Sequence, residues 1–188
     1  MARNNNSFRG ANKLKRDYIY ERVLWVQKKY GKIEPKKLAK DMGIIVSYEP
    51  MGNTDKSCKG FFVVFCRKKH ITINSDLKYE VQRIILMHEI AHAVLHFGPL
   101  CSAFHDFAIF DNTDIKEYEA NMFTADYLVS DNEVFDTIKE DVSFFDAASI
   151  LNIPPELLDF KFRLMKRRGF KIVEPPITST GDFLKNIK

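Results

Sequence analysis

The sequence predicts an α+β fold in which a small three-stranded antiparallel sheet packs on one long apolar helix, with further helices on both sides. Three observations carry this expectation. Three short β-branched and aromatic runs fall together between residues 44 and 74. The flanking segments carry helical spacing punctuated by Pro and Gly. The chain has 188 residues, which suits one domain and little more.

The opening residues 1–13 are polar and Asn-rich and read as disordered. A helix follows from Leu14 to Tyr30, with Ile19, Val23, Val26 and Tyr30 on one face, and Gly31 stops it. Glu34 to Gly43 reads as a short helix with Pro35 in its first turn and Gly43 past its end. The strands are Ile44–Tyr48, Gly60–Cys66 and His70–Asn74. A basic turn, Arg67-Lys68-Lys69, joins the last two as a hairpin, and a Gly/Asn/Asp/Ser loop lies between Pro50 and Lys59. The three Phe of the second strand read as core.

A long helix runs from Lys78 to Phe97 and ends at Gly98-Pro99. Residues 100–113 form a longer loop. Helices then cover Asp114–Val129, Asn132–Glu140, Ser143–Leu151 and Pro155–Arg168. From Glu174 the chain looks extended or mobile. The expected organisation is therefore a single domain over 14–170, with its core at 35–130 and a helical part at 131–170, and a tail at 171–188.

Composition narrows the function classes. Hydrophobic residues make up 45% and charged residues 29%, as in an ordinary globular chain. No apolar run approaches the roughly 20 residues of a membrane helix, and the first twenty lack the apolar stretch of a secretion signal. Cys58, Cys66 and Cys101 form no C-x-x-C pair, so reduced thiols and a cytoplasmic location are expected. Residues 1–40 hold 12 basic and 3 acidic side chains, whereas residues 101–160 hold 2 and 14. The basic ends are not interleaved with the aromatic or small residues of a recognition surface. Specific nucleic-acid binding is therefore not expected.

The chemistry is concentrated in Ile84–Phe97. Only His88, Glu89, His92 and His96 are polar among these fourteen residues. A helix apolar nearly all round is a buried one, and burying a Glu and three His there costs free energy unless something satisfies them. A metal ion does so. His88 and His92 lie four residues apart, about 40° around the helix, so both imidazoles can reach one ion. Glu89 adjoins the first ligand and can reach the attacking water as general base. This is the H-E-x-x-H arrangement of zinc peptidases. His96 lies one turn further and reads as a helix-end His bonded to backbone or to a ligand.

A catalytic zinc site takes a third protein ligand and keeps one open position. The next helix offers candidates. Glu119 falls beside Ala120, whose small size permits close helix approach. Asp126 lies on nearly the same face as an alternative or supporting group. Glu117 falls on a different face and reads as solvated. Tyr118 and His105 are candidate oxyanion donors.

The sequence resembles the ImmA/IrrE family of zinc metallopeptidases. The likeness is carried by the Ile44–Tyr48 strand after Lys-Leu-Ala-Lys-Asp-Met-Gly and by Gly60-Phe61-Phe62 followed by Ile71-Thr72-Ile73-Asn74. It continues in Gln82-Arg83 leading into His88-Glu89-Ile90-Ala91-His92-Ala93-Val94-Leu95-His96, and in Glu117-Tyr118-Glu119-Ala120-Asn121-Met122-Phe123-Thr124-Ala125. The last matches the family's E-x-E-A-N-x-F-A-A signature. Thr124 stands where Ala is usual, and Ser130 where the family often has Pro.

The resemblance implies a minimal zincin-like fold and one Zn²⁺ held by His88, His92 and Glu119. It implies hydrolysis of a protein substrate, a helix-turn-helix repressor of a phage or mobile element, so that the chain acts as an anti-repressor. The substrate is expected to lie extended along the edge of the Lys59–Phe65 strand. The alternative is a zinc-stabilised regulator that binds DNA through the Ser143–Arg168 helix pair, or sequesters a repressor without cutting it.

Overall fold

A computed structural model describes residues 6–54, 56–96, 113–138 and 142–187. The elements run α1 (Asn6–Tyr30), α2 (Pro35–Asp41), β1 (Ile44–Glu49), β2 (Gly60–Phe65), β3 (Lys68–Asn74), α3 (Tyr79–Leu95), α4 (Thr113–Leu128), α5 (Asp131–Thr137), α6 (Phe144–Ile150) and α7 (Pro155–Arg167). A 3₁₀ turn, Phe183–Asn186, closes the described chain. The class is α+β, as expected. Helix α1 starts at Asn6, so residues 6–13, expected to be disordered, form its first turns. No helix among the described residues is long and apolar enough to cross a membrane.

The sheet corrects one expectation. It is mixed and not antiparallel throughout: the order is β1-β3-β2, with β1 parallel to β3 and β2 antiparallel to β3. The hairpin dictates the second pairing. Its turn is Cys66-Arg67, both with positive φ (49° and 62°), while Lys68 and Lys69 already belong to β3. The first pairing follows from the 50–59 loop, which crosses the end of β3 instead of folding back beside β1. The buried Asn74 side chain at that end holds the crossing. Its Oδ1 accepts from the Met51 and Asp76 amides, and its Nδ2 donates to the Gly52 and Cys58 carbonyls, at 2.8–3.2 Å.

Helix α3 lies against one sheet face through Ile71 and Ile73 and is buried nearly all round. Gly60 marks the closest approach. A Cβ there would sit 2.7 Å from Ile85 Cγ2 and 3.1 Å from the Thr72 carbonyl oxygen. Gly60→Ala is expected to lower stability by about 1–3 kcal/mol, read by urea unfolding, because the helix must back off the sheet. Unchanged stability would mean that the strand yields freely. The expectation that the strand's three Phe are core is corrected: Phe61 and Phe62 are half-buried, and Phe65 is 65% exposed. Among the described residues β2 pairs only with β3, so its far edge carries no strand.

Helix α7 packs on α4, and α6 packs on α7 and α5. Helix α5 opens with a reciprocal cap: Ser130 Oγ accepts from the Glu133 amide, and the Glu133 carboxylate accepts from the Ser130 amide. Helix α7, the candidate recognition helix of the regulator alternative, buries Leu157–Phe162, Leu164 and Met165. Of its other side chains, Pro155, Glu156, Arg163 and Lys166 are half-buried and Arg167 is exposed.

A neutral cluster of four charges joins α4, α5 and α7. Lys161 Nζ lies 2.8 Å from Asp126 and 2.6 Å from Asp131. Arg168 binds the same two carboxylates.

The segment after α7 is extended but anchored. The Asp159–Arg163 ion pair grips the backbone of Ser179 from both sides: Asp159 accepts its amide at 2.7 Å, and Arg163 donates to its carbonyl at 3.0 Å. Asn121 on α4 donates to the Gly181 carbonyl, and Phe183 and Leu184 are buried.

Candidate metal centre

The C-terminal half of α3 carries the site, and α4 faces it. His88 is buried, and His92, Glu89 and His96 are half-buried along the same helix. The His88 and His92 rings stand one turn apart in a T-shaped arrangement, centroids 4.7 Å apart, with their Nε2 atoms 3.0 Å apart. Opposite them, Glu117 reaches both: Oε2 lies 3.0 Å from His88 Nε2 and Oε1 lies 3.3 Å from His92 Nε2.

These three residues are a group that could hold a metal ion. The spacing supports this. An ion about 2.0–2.2 Å from each of three tetrahedral donors separates those donors by about 3.3 Å. The donor set, two imidazoles and one carboxylate, is the set of a hydrolytic zinc site with its fourth position open. Burial raises the Glu117 carboxyl, but the hydrogen bonds and charges of His88 and His92 outweigh it and hold the group well below the usual carboxylate range. Glu117 is thus ionised, as a ligand must be. His88 Nδ1 is buried and has no hydrogen-bond partner among the described residues.

Glu119 is not part of this group. Two residues apart on a helix means about 200° of rotation, so one register cannot aim both carboxylates at the same pair of rings. Glu119 instead lies 3.1 Å from His96 Nε2, and His96 Nδ1 lies 3.1 Å from His92 Nδ1. Burial and the neighbouring His92 push His96 down to about 4 against the opposing pull of Glu119, so this imidazole is neutral near pH 7. Glu117, expected to be solvated, is the residue that the sequence reading missed. The signal was present: Glu117, Ala120, Asn121 and Thr124 form an i, i+3, i+4, i+7 stripe, and the last three are fully buried.

The remaining candidates go elsewhere. Asp126 is bound by Lys161 and Arg168, so its role is in the charge cluster and not beside the metal group. The Tyr118 hydroxyl accepts from Arg167 at 2.6 Å, and its ring packs on Phe160, which turns it toward α7. His105 lies outside the described residues. Glu89 follows His88 directly and is 100° away from it around the helix, beside the group and not within it.

Residues 39–162 match the family of IrrE N-terminal-like domains, Peptidase_M78. The chain belongs to this peptidase family. It is also 30% identical over 134 residues to an uncharacterized immunity region protein 2 of Bacillus phage phi105, covering 71% of this chain and 82% of that protein. No solved structure matches. The matched stretch holds every residue of the metal group, Glu89, and the His96–Glu119 pair.

Proposed function

We propose that this member of the IrrE N-terminal-like family is a zinc metallopeptidase that hydrolyses a peptide bond in a transcriptional repressor of a phage or mobile element. One observation carries the reading: His88, His92 and Glu117 converge at tetrahedral spacing, with Glu89 adjoining the first of them. Similarity to a phage immunity region protein supports the repressor as substrate. Zinc supplies Lewis acidity to the scissile carbonyl and acidifies water at the site. Glu89 takes a proton from the attacking water at its carboxylate and returns it to the leaving amine. The outer edge of β2 offers main-chain donors and acceptors on which an extended substrate segment adds as a further strand.

Zinc content and repressor cleavage test the proposal together. The purified chain is expected to hold about one zinc per molecule and to cut a co-expressed repressor. Glu117→Ala is expected to lose the metal, because it removes one of three ligands. A chain that keeps full zinc without Glu117, or takes none at all, sinks the assignment.

A further inference from the structure

The three side chains Glu119, His96 and His92 form one hydrogen-bonded row that ends at the metal group. From this row we propose that Glu119 and His96 are positioning residues, which fix the tautomer and tilt of His92 for metal binding. The inference rests on the zinc reading above.

Hydrogens can be placed along this row in one way only. Glu119 is a carboxylate and accepts, so the His96 nitrogen 3.1 Å from it, Nε2, carries the hydrogen. His96 is then left with a lone pair on Nδ1. That nitrogen faces His92 Nδ1 at 3.1 Å and accepts from it. His92 in turn keeps its hydrogen on Nδ1 and its lone pair on Nε2, the nitrogen 3.0 Å from His88 Nε2 and 3.3 Å from Glu117. An acceptor two side chains away thus selects the one tautomer of His92 that can bind a cation. The residues are well placed to do this: the His96 and Glu119 side chains are only 10% and 18% exposed, and the His92 and His96 rings stand 5.2 Å apart. His88 differs, because its Nδ1 is buried without a partner among the described residues. The two imidazole ligands are therefore supported unequally, and the row serves His92.

Groups behind a metal ligand typically contribute 10–100-fold in metal affinity. The test is zinc affinity by competition with a chromophoric chelator, together with the visible spectrum of the cobalt-substituted protein. His96→Phe and Glu119→Ala are each expected to weaken zinc by about 10–100-fold and to alter the cobalt bands. The double variant is expected to be no weaker than His96→Phe alone, because both residues act through the same bond. Glu119→Gln keeps a carbonyl acceptor and the side-chain shape, so it is expected to stay near the wild type and to remain folded.

Full affinity in His96→Phe and Glu119→Ala, with Glu117→Ala devoid of metal, overturns the row and leaves the zinc site standing. Additive losses in the double variant also overturn it. A wild-type chain that binds no zinc, or a Glu117→Ala variant that binds it fully, overturns the zinc reading and the row with it.

Discussion

Glu89→Gln is expected to fold normally, to keep its zinc, and to lose cleavage of the repressor by about 10²–10⁴-fold, the range of a general base. The variant is nearly isosteric, so the half-buried position between His88 and Ile90 keeps its packing. What changes is the capacity to take a proton. Lost charge near the metal adds to the effect, so size alone does not isolate proton transfer. The pairing of outcomes does. Metal retained with cleavage lost marks a peptidase. Repressor inactivation that persists in the Gln variant, with the repressor still full length, marks a protein that acts by binding alone. Zinc lost from the variant would instead make Glu89 a ligand, contrary to the geometry, in which Glu117 and not Glu89 completes the group that could hold a metal.

The second large effect lies away from the site. Lys161→Met is expected to destabilise the fold by about 3–5 kcal/mol, because Arg168 alone is then left to balance the two carboxylates and one enclosed charge goes uncompensated. Lys161 is 1% exposed and stands between two carboxylates, of which Asp126 is also buried. Methionine fills the space of the aliphatic stem but compensates neither charge. Adding Asp126→Leu is expected to recover part of the loss, because Arg168 and Asp131 then balance each other at 2.9 Å. Urea unfolding of the two variants measures this. A loss below about 1 kcal/mol in Lys161→Met would mean that the cluster admits water and is screened as a surface pair is.

How far the sequence could be read depended on which interactions were local. The α3 helix was legible because an apolar run holding four polar residues has one economical explanation, and because four-residue spacing is a property of the helix itself. The hairpin between β2 and β3 was legible for a similar reason. The pairing of β1 was not. It depends on the Asn74 side chain catching both flanks of the 50–59 loop, and an Asn ending a strand announces no such partners.

The acidic helix shows the limit most directly. Glu117, Glu119 and Asp126 look alike in sequence, yet the structure gives one to the metal group, one to His96 and one to Lys161. Adjacency to a small residue was a poor guide, since neighbours in sequence are 100° apart on a helix. The buried stripe through Ala120, Asn121 and Thr124 pointed to Glu117 by position. Ser130, a departure from the resembling family's usual Pro, supplies the side-chain oxygen that caps α5.

The bond from Asn121 to the Gly181 carbonyl spans 60 residues. Synthesis runs from the N-terminus, so α3 and α4, with His88, His92 and Glu117, are made well before that carbonyl exists. Until Ser179 and Gly181 arrive, the amide of Asn121 on the helix that carries Glu117 lacks its acceptor, and the Asp159–Arg163 grip has nothing to hold. The contact between the tail and the helix that carries Glu117 is therefore completed last, after both helices have been made.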